Sequence, residues 1–234
     1  MDTCSFFDCM EISSFRIAVF DSSLILAFAF FSIFLAQIYV KKVSGNHVGD
    51  LVLDLLPNLN SRSVCRFLLL FFLVWGSVGF ALFSLVLIIA LRPVYLPACM
   101  STVGFMYIVR SFFLCITRLE THPDKIEIPQ NSSVLFRNVG KFVYGGKDLF
   151  FSGHVALPAT LASVFCEVDS FQIFFVCTAV LFGVATLLAK AHYTIDVITA
   201  PFIAYGVYSF TKLYLFSGYF DLIETSSFVK AAGF

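Results

Sequence analysis

Charge is scarce in this chain. Only 13% of its 234 residues are Asp, Glu, Lys or Arg, against roughly 25% in a soluble domain. The two signs cancel to a net charge of zero, so nothing marks the chain as a nucleic-acid binder. Metal-ligand patterns are lacking too. The seven cysteines (Cys4, Cys9, Cys65, Cys99, Cys115, Cys166 and Cys177) are odd in number and form no CxxC or Cys/His cluster. Neither a disulfide framework nor a zinc site is expected. The start lacks positive charge: Asp2, Asp8 and Glu11 face a single Arg16. A secretory leader opens with positive charge before its apolar core, so residues 22–40 are expected to be a retained first span. No soluble domain, low-complexity tract, linker or internal repeat stands out.

Apolar surface is abundant. Hydrophobic residues make up 59% of the chain, 31 of them phenylalanine, and the mean hydropathy is +0.93. A water-soluble globule of this size cannot hide that much apolar surface. The fold class expected is all-α: a polytopic membrane protein forming one integral domain over residues 1–234. A bilayer core requires about 20 apolar residues of helix. Six candidate spans satisfy or approach this: 22–40, 67–91, 95–117, 150–166, 171–191 and 195–217. The second carries no charge between Arg66 and Arg92, and the third contains Arg110.

Two polar loops, 41–66 and 118–149, separate the spans. Six crossings put both loops on one membrane face, together with the start of the fourth span and the end of the fifth. The first of these junctions reads Ser152-Gly153-His154, and the second Lys190-Ala191-His192 with Asp196 four residues on. On a helix, i and i+4 side chains are neighbours. A carboxylate so placed holds one ring nitrogen as a donor and leaves the other as base or nucleophile. His154 lies near a helix start, where unpaired N–H groups and partial positive charge suit a phosphate. Ser152 is the expected N-cap, and Gly153 lets backbone approach a ligand.

These residues compose a phosphoryl-transfer site that needs no metal and no cofactor. His192 is the expected nucleophile, oriented by Asp196, and His154 the general acid and base. Lys147, Lys190 and Arg110 are candidate partners for phosphate oxygens, although Arg110 also suits an interface anchor. Ionisable groups at membrane depth are costly and favour a functional reading. His47 and His122 lie in the loops, and no role falls to them.

"KDLFFSGH" with "AHYTIDV" resembles the sphingomyelin-synthase-related branch of the type 2 phosphatidate phosphatase superfamily. That branch carries C-G-D-x-x-F-S-G-H-T and H-Y-T-I-D-V. Asp148, Phe151, Ser152, Gly153 and His154 match the first motif, and residues 192–197 match the second throughout. Gly146 and Lys147 stand in place of the motif's cysteine and glycine, and Val155 in place of its threonine. An upstream element, R-x-x-x-x-x-x-T-x-L-P, is partly present as Arg110, Thr117 and Leu119, with Glu120 at the proline. "GDLVLDLLP" looks like the family's P-L-P-D element, with Asp50 as its acid.

The resemblance implies six helices, a catalytic His154, His192 and Asp196, and a substrate site including Asp148, Ser152, Gly153, Arg110, Lys147 and Lys190. It implies transfer of a phospho-alcohol head group, phosphocholine-like, from a phospholipid to a lipid hydroxyl. Hydrolysis of a phosphatidate-like lipid, with water as acceptor, stays open beside it, as does a non-catalytic or transporter role. The K-x-x-x-x-x-x-R-P and S-R-x-x-x-x-x-H motifs of the hydrolytic enzymes are missing, and Thr186 occupies the second one's arginine position. The aspartate-rich metal motif of CDP-alcohol phosphotransferases is missing as well. Oligomeric state is not legible. The resemblance puts the site on the extracytoplasmic face. The positive-inside rule opposes it, with ten basic residues in the loops and junction of the site's face against four on the other.

Overall fold

A computed structural model describes residues 5–43, 45–117, 119–144, 149–221 and 223. The expected Asp148 and Lys147 contacts lie outside the described residues. The chain is an all-α, polytopic membrane protein, and no strand occurs among the described residues. α1 (Phe6–Glu11) leads into α2 (Ser13–Lys42). α2 closes on Lys41 and Lys42, whose charge complements the helix dipole. After the short α3 (Leu51–Leu55), α4 (Ser63–Phe71) and α5 (Ser77–Leu91) run on through a π-helical turn at Phe72–Gly76. α6 (Leu96–Ile116) returns, and α7 (Val134–Val143) is a helix of the second polar loop. α8 (Gly153–Val164), α9 (Asp169–Leu188) and α10 (Thr194–Phe210) complete the bundle, α10 continuing through a π turn at Thr211–Leu215.

Four helical segments are long and apolar enough to cross a membrane: Ser13–Lys42, Ser63–Leu91, Pro93–Ile116 and Asp169–Leu188. They contain the expected spans 22–40 and 67–91 and overlap 95–117 and 171–191, which end one and three residues earlier than expected. The expected fourth span contracts to the 12 residues of α8. At 1.5 Å per residue that is about 18 Å, against a hydrocarbon core of roughly 30 Å. α8 is correspondingly enclosed: nine of its residues are buried among α6, α9 and α10.

The outer surface is what a lipid solvent permits. Phe28, Phe31 and Phe202 are 59%, 58% and 72% exposed. The hydrophobic effect does not drive helices together in lipid, so close packing must. Small residues provide it. Ala156 and Ala159 of α8 are buried in one cluster with Ala200 and Ala204 of α10. Gly104 of α6 lets α2 approach: an added Cβ would lie 3.0 Å from the Ile25 side chain and 3.3 Å from the Leu26 backbone.

The two polar loops are stitched together at one end of the bundle. The Glu120 N–H donates to Asn46 O (3.0 Å), and Asn60 Nδ2 donates to Asp124 O (2.9 Å). The tip between α5 and α6, with Arg92, lies at the opposite end of these helices.

Candidate active site

His154 is the second residue of α8, with Ser152 as N-cap in an extended conformation. The serine's hydroxyl does not cap the helix. It is fully buried and has no hydrogen-bond partner among the described residues. His154 Nε2 lies 3.1 Å from Leu73 O, a carbonyl of the π-helical turn. Such turns leave carbonyls out of the regular ladder. Here Ser77 Oγ donates to the same oxygen (2.6 Å) and to Val74 O (3.0 Å).

His192 does not lie on a helix as the i, i+4 spacing suggested. It occupies the turn between α9 and α10, and Asp196 is the third residue of α10. The carboxylate still reaches it. Asp196 Oδ2 accepts the Tyr193 N–H (3.2 Å), completing a capping box, and lies 3.4 Å from His192 Nδ1. That is ion-pair range without hydrogen-bond alignment, and Nδ1 has no hydrogen-bond partner among the described residues. The main chains of the two histidine motifs are joined directly, because the Ser152 N–H donates to Asp196 O (2.9 Å). The imidazole centroids stand 6.4 Å apart, and both rings are buried.

The weaker upstream matches hold these two helix starts in place. Arg110, buried in α6, donates from Nη1 to Phe150 O (3.1 Å) and Phe151 O. Thr117 Oγ1 donates to Leu149 O (3.2 Å), so both residues grip the strand of chain entering α8. A Cβ on Gly153 would sit 3.4 Å from the Arg110 guanidinium, which glycine leaves room for. Asp50 caps α3 and binds the start of α10. It accepts the Thr194 N–H (2.6 Å) and hydroxyl (2.8 Å). Burial pushes its carboxyl up, but hydrogen bonds from Thr194, Leu53 and Val52 outweigh it and hold the pKa below the ordinary 3.8.

A cavity of about 500 Å³ adjoins the histidines. Gln37, Ser77, Arg110, Lys125, His154 and His192 line it together with the tyrosines Tyr107 and Tyr144, and its other lining side chains are apolar. It follows one face of α6 from Arg110 to Leu96, about 20 Å at 1.5 Å per residue. Phe30 of α2 and Leu82 of α5 line it while being 45% and 60% exposed. The cavity therefore reaches the lipid-facing surface between those helices.

Of the residues singled out by sequence, His154, His192, Asp196, Ser152, Gly153 and Arg110 come together here. Lys190 does not line the cavity. Its Nζ pairs with Asp124 Oδ2 (3.1 Å), and its own backbone is left-handed (φ 50°) at the end of α9. Lys125, Leu73 and Ser77 belong to the site and carry no sequence signal: one is a lysine in a polar loop, the others lie in an apolar run. Among the described residues no group of His, Cys, Asp and Glu could hold a metal ion.

No curated protein and no solved structure matches the chain. Residues 146–213 match the family model described as PAP2 superfamily C-terminal. That segment holds both histidines, Asp196 and all of α8 to α10, and over it the chain is similar to the type 2 phosphatidate phosphatase superfamily, whose members are phosphatases and phosphotransferases.

Proposed function

We propose that the protein is a membrane-embedded lipid phosphotransferase of the sphingomyelin-synthase-like kind, moving a phospho-alcohol head group from a phospholipid to a lipid hydroxyl. One observation carries this reading: the histidine pair stands at the polar end of a long apolar cavity that reaches the lipid. A phospholipid entering sideways would put its chains against α5 and α6 and its phosphate between the imidazoles. Water has little to bind along such walls, which favours a lipid alcohol as acceptor.

The chemistry runs in two displacements. His192 Nε2 attacks phosphorus, the bond from phosphorus to the diacylglycerol oxygen breaks, and His154 gives that oxygen a proton. Asp196 beside Nδ1 stabilises the positive charge on the phosphorylated ring. The acceptor hydroxyl then gives its proton to His154 and attacks phosphorus, breaking the P–N bond. Arg110 braces the start of α8 and presents positive charge at the same end of the cavity.

The test uses head-group-labelled phospholipid and a lipid alcohol in mixed micelles with the full chain. A new labelled phospholipid is expected. His192→Ala should lower turnover by about a thousandfold or more while its thermal unfolding stays close to wild type. A His192→Ala protein retaining more than about a tenth of the activity would overturn the assignment. Labelled phospho-alcohol released into water, with no new lipid, would make the enzyme a hydrolase.

A further inference from the structure

We infer that the π turn of the second span belongs to the catalytic apparatus: its Leu73 carbonyl positions the His154 imidazole, and the Ser77 hydroxyl sets that carbonyl. This rests on the lipid phosphotransfer reading above and adds positioning residues to it. Both lie outside the segment that matches a known family.

The turn at Phe72–Gly76 breaks the regular ladder at one carbonyl. In an α-helix the Ser77 N–H would bond Leu73 O, four residues back. Here it bonds Val74 O instead, and the Ser77 side chain takes its place. Oγ donates to Leu73 O (2.6 Å) and to Val74 O (3.0 Å). A carbonyl oxygen has two lone pairs, and His154 Nε2, 3.1 Å away, uses the same oxygen. Because a carbonyl only accepts, Nε2 is the donor and carries a proton while the ring rests there. The imidazole is thereby oriented from another helix, by a residue 81 positions earlier in the chain.

A second route ties the same turn to the same ring. Phe72 opens the turn and stacks on Phe182 of α9, with centroids 5.0 Å apart. Phe182 in turn lies 5.9 Å from the His154 ring. Gly76 closes the turn beside the Phe72 ring, where an added Cβ would sit 3.2 Å from it.

The serine hydroxyl matters because the surroundings are apolar. A carbonyl left unsatisfied at membrane depth is costly. If the imidazole alone served Leu73 O, every turn of His154 toward the reacting oxygen would strand that carbonyl. Ser77 keeps it bonded, so the ring can leave and return with little penalty. Ser77 is suitably placed for this, since it lines the cavity together with both histidines.

The experiment compares Ser77→Thr with Ser77→Val in the full chain in micelles. The two side chains have nearly the same shape and differ in the hydroxyl, and threonine bonds the preceding turn's carbonyls as serine does. Ser77→Val should lower kcat by about three- to tenfold, the worth of one neutral hydrogen bond, with KM for the donor lipid almost unchanged. Ser77→Thr should keep most of the rate, and Ser77→Ala serves as a second variant without the hydroxyl. Isotope-labelled histidine read by NMR gives a signal independent of turnover. The His154 resonances, identified by their loss in His154→Gln, should show a protonated Nε2 in substrate-free wild type and Ser77→Thr, and should move in Ser77→Val. Equal kcat in Ser77→Thr and Ser77→Val, an unprotonated Nε2, or resonances that do not move would overturn the inference. If no donor turns over in any variant, the phosphotransfer reading fails by itself, and the His154 resonances alone decide the positioning.

Discussion

Asp50 shows how one carboxylate serves a catalytic site it does not touch. It sits in the first polar loop, caps α3, and clamps Thr194, two residues after His192. Its pKa is held down in the folded protein. The stabilisation is therefore complete above the unfolded pKa and disappears as pH falls through the folded one. Asp50→Asn should unfold at lower temperature than wild type at pH 7, and the gap should begin to narrow below about pH 4 and close only once pH has fallen past the lowered folded-state pKa. Thermal unfolding in micelles across that range measures it, and a gap that stays constant to the lowest pH would refute the clamp. Sequence alone marks Asp50 as part of a weak motif. What it could not supply was the partner, because Thr194 lies 144 residues along the chain. Arg110 is similar. Its place within an apolar span is legible, but the carbonyls of Phe150 and Phe151 that it holds become visible only once α6 packs beside α8.

At the scale of elements, long helices were the easiest to read. In lipid every backbone polar group must bond internally, so an uncharged run such as 67–91 has few options besides helix. Two features escaped that logic. α8 is cut to 12 residues by the turn that presents His154, and the π turn at Phe72–Gly76 interrupts an apolar stretch with no Pro to announce it. Both place groups at the site, and neither changes the hydropathy that marks a span. His192 likewise falls outside the expected helix, because α10 starts at Thr194 with Tyr193 as its N-cap and Asp196 closing the capping box, which leaves the histidine one residue before the cap. The pairing of α2 with α6 rests on a different kind of residue. Gly104→Val would thrust side-chain atoms at the Leu26 backbone, where a Cβ alone would lie 3.3 Å away. A loss of roughly 1–3 kcal/mol is expected from such overpacking. Chemical or thermal unfolding in detergent tests it, and an unchanged midpoint would mean that the helices are not in register there.

For the whole molecule, the face that carries the site remains the largest decision. We propose that it is extracytoplasmic, following the family resemblance over the excess of basic residues on that face. A phosphate site gathers cations for its own chemistry, as Arg110 and Lys125 do here, and that biases any count of charges. Ser132, at the turn before α7, is suited to a reporter cysteine. In a background without reactive native cysteines, an impermeant maleimide should label Ser132→Cys in intact cells; labelling only after permeabilisation would put the site in the cytosol.

The central claim is that phosphorus passes through His192. It is tested most directly by trapping: the full chain in micelles is mixed with donor lipid labelled at phosphorus, quenched in base within the first turnovers, digested and read by mass spectrometry. The account predicts a base-stable, acid-labile label on the peptide that contains His192, absent from His192→Ala. Turnover with no label on His192 at any time point, or equal turnover by His192→Ala, would contradict it.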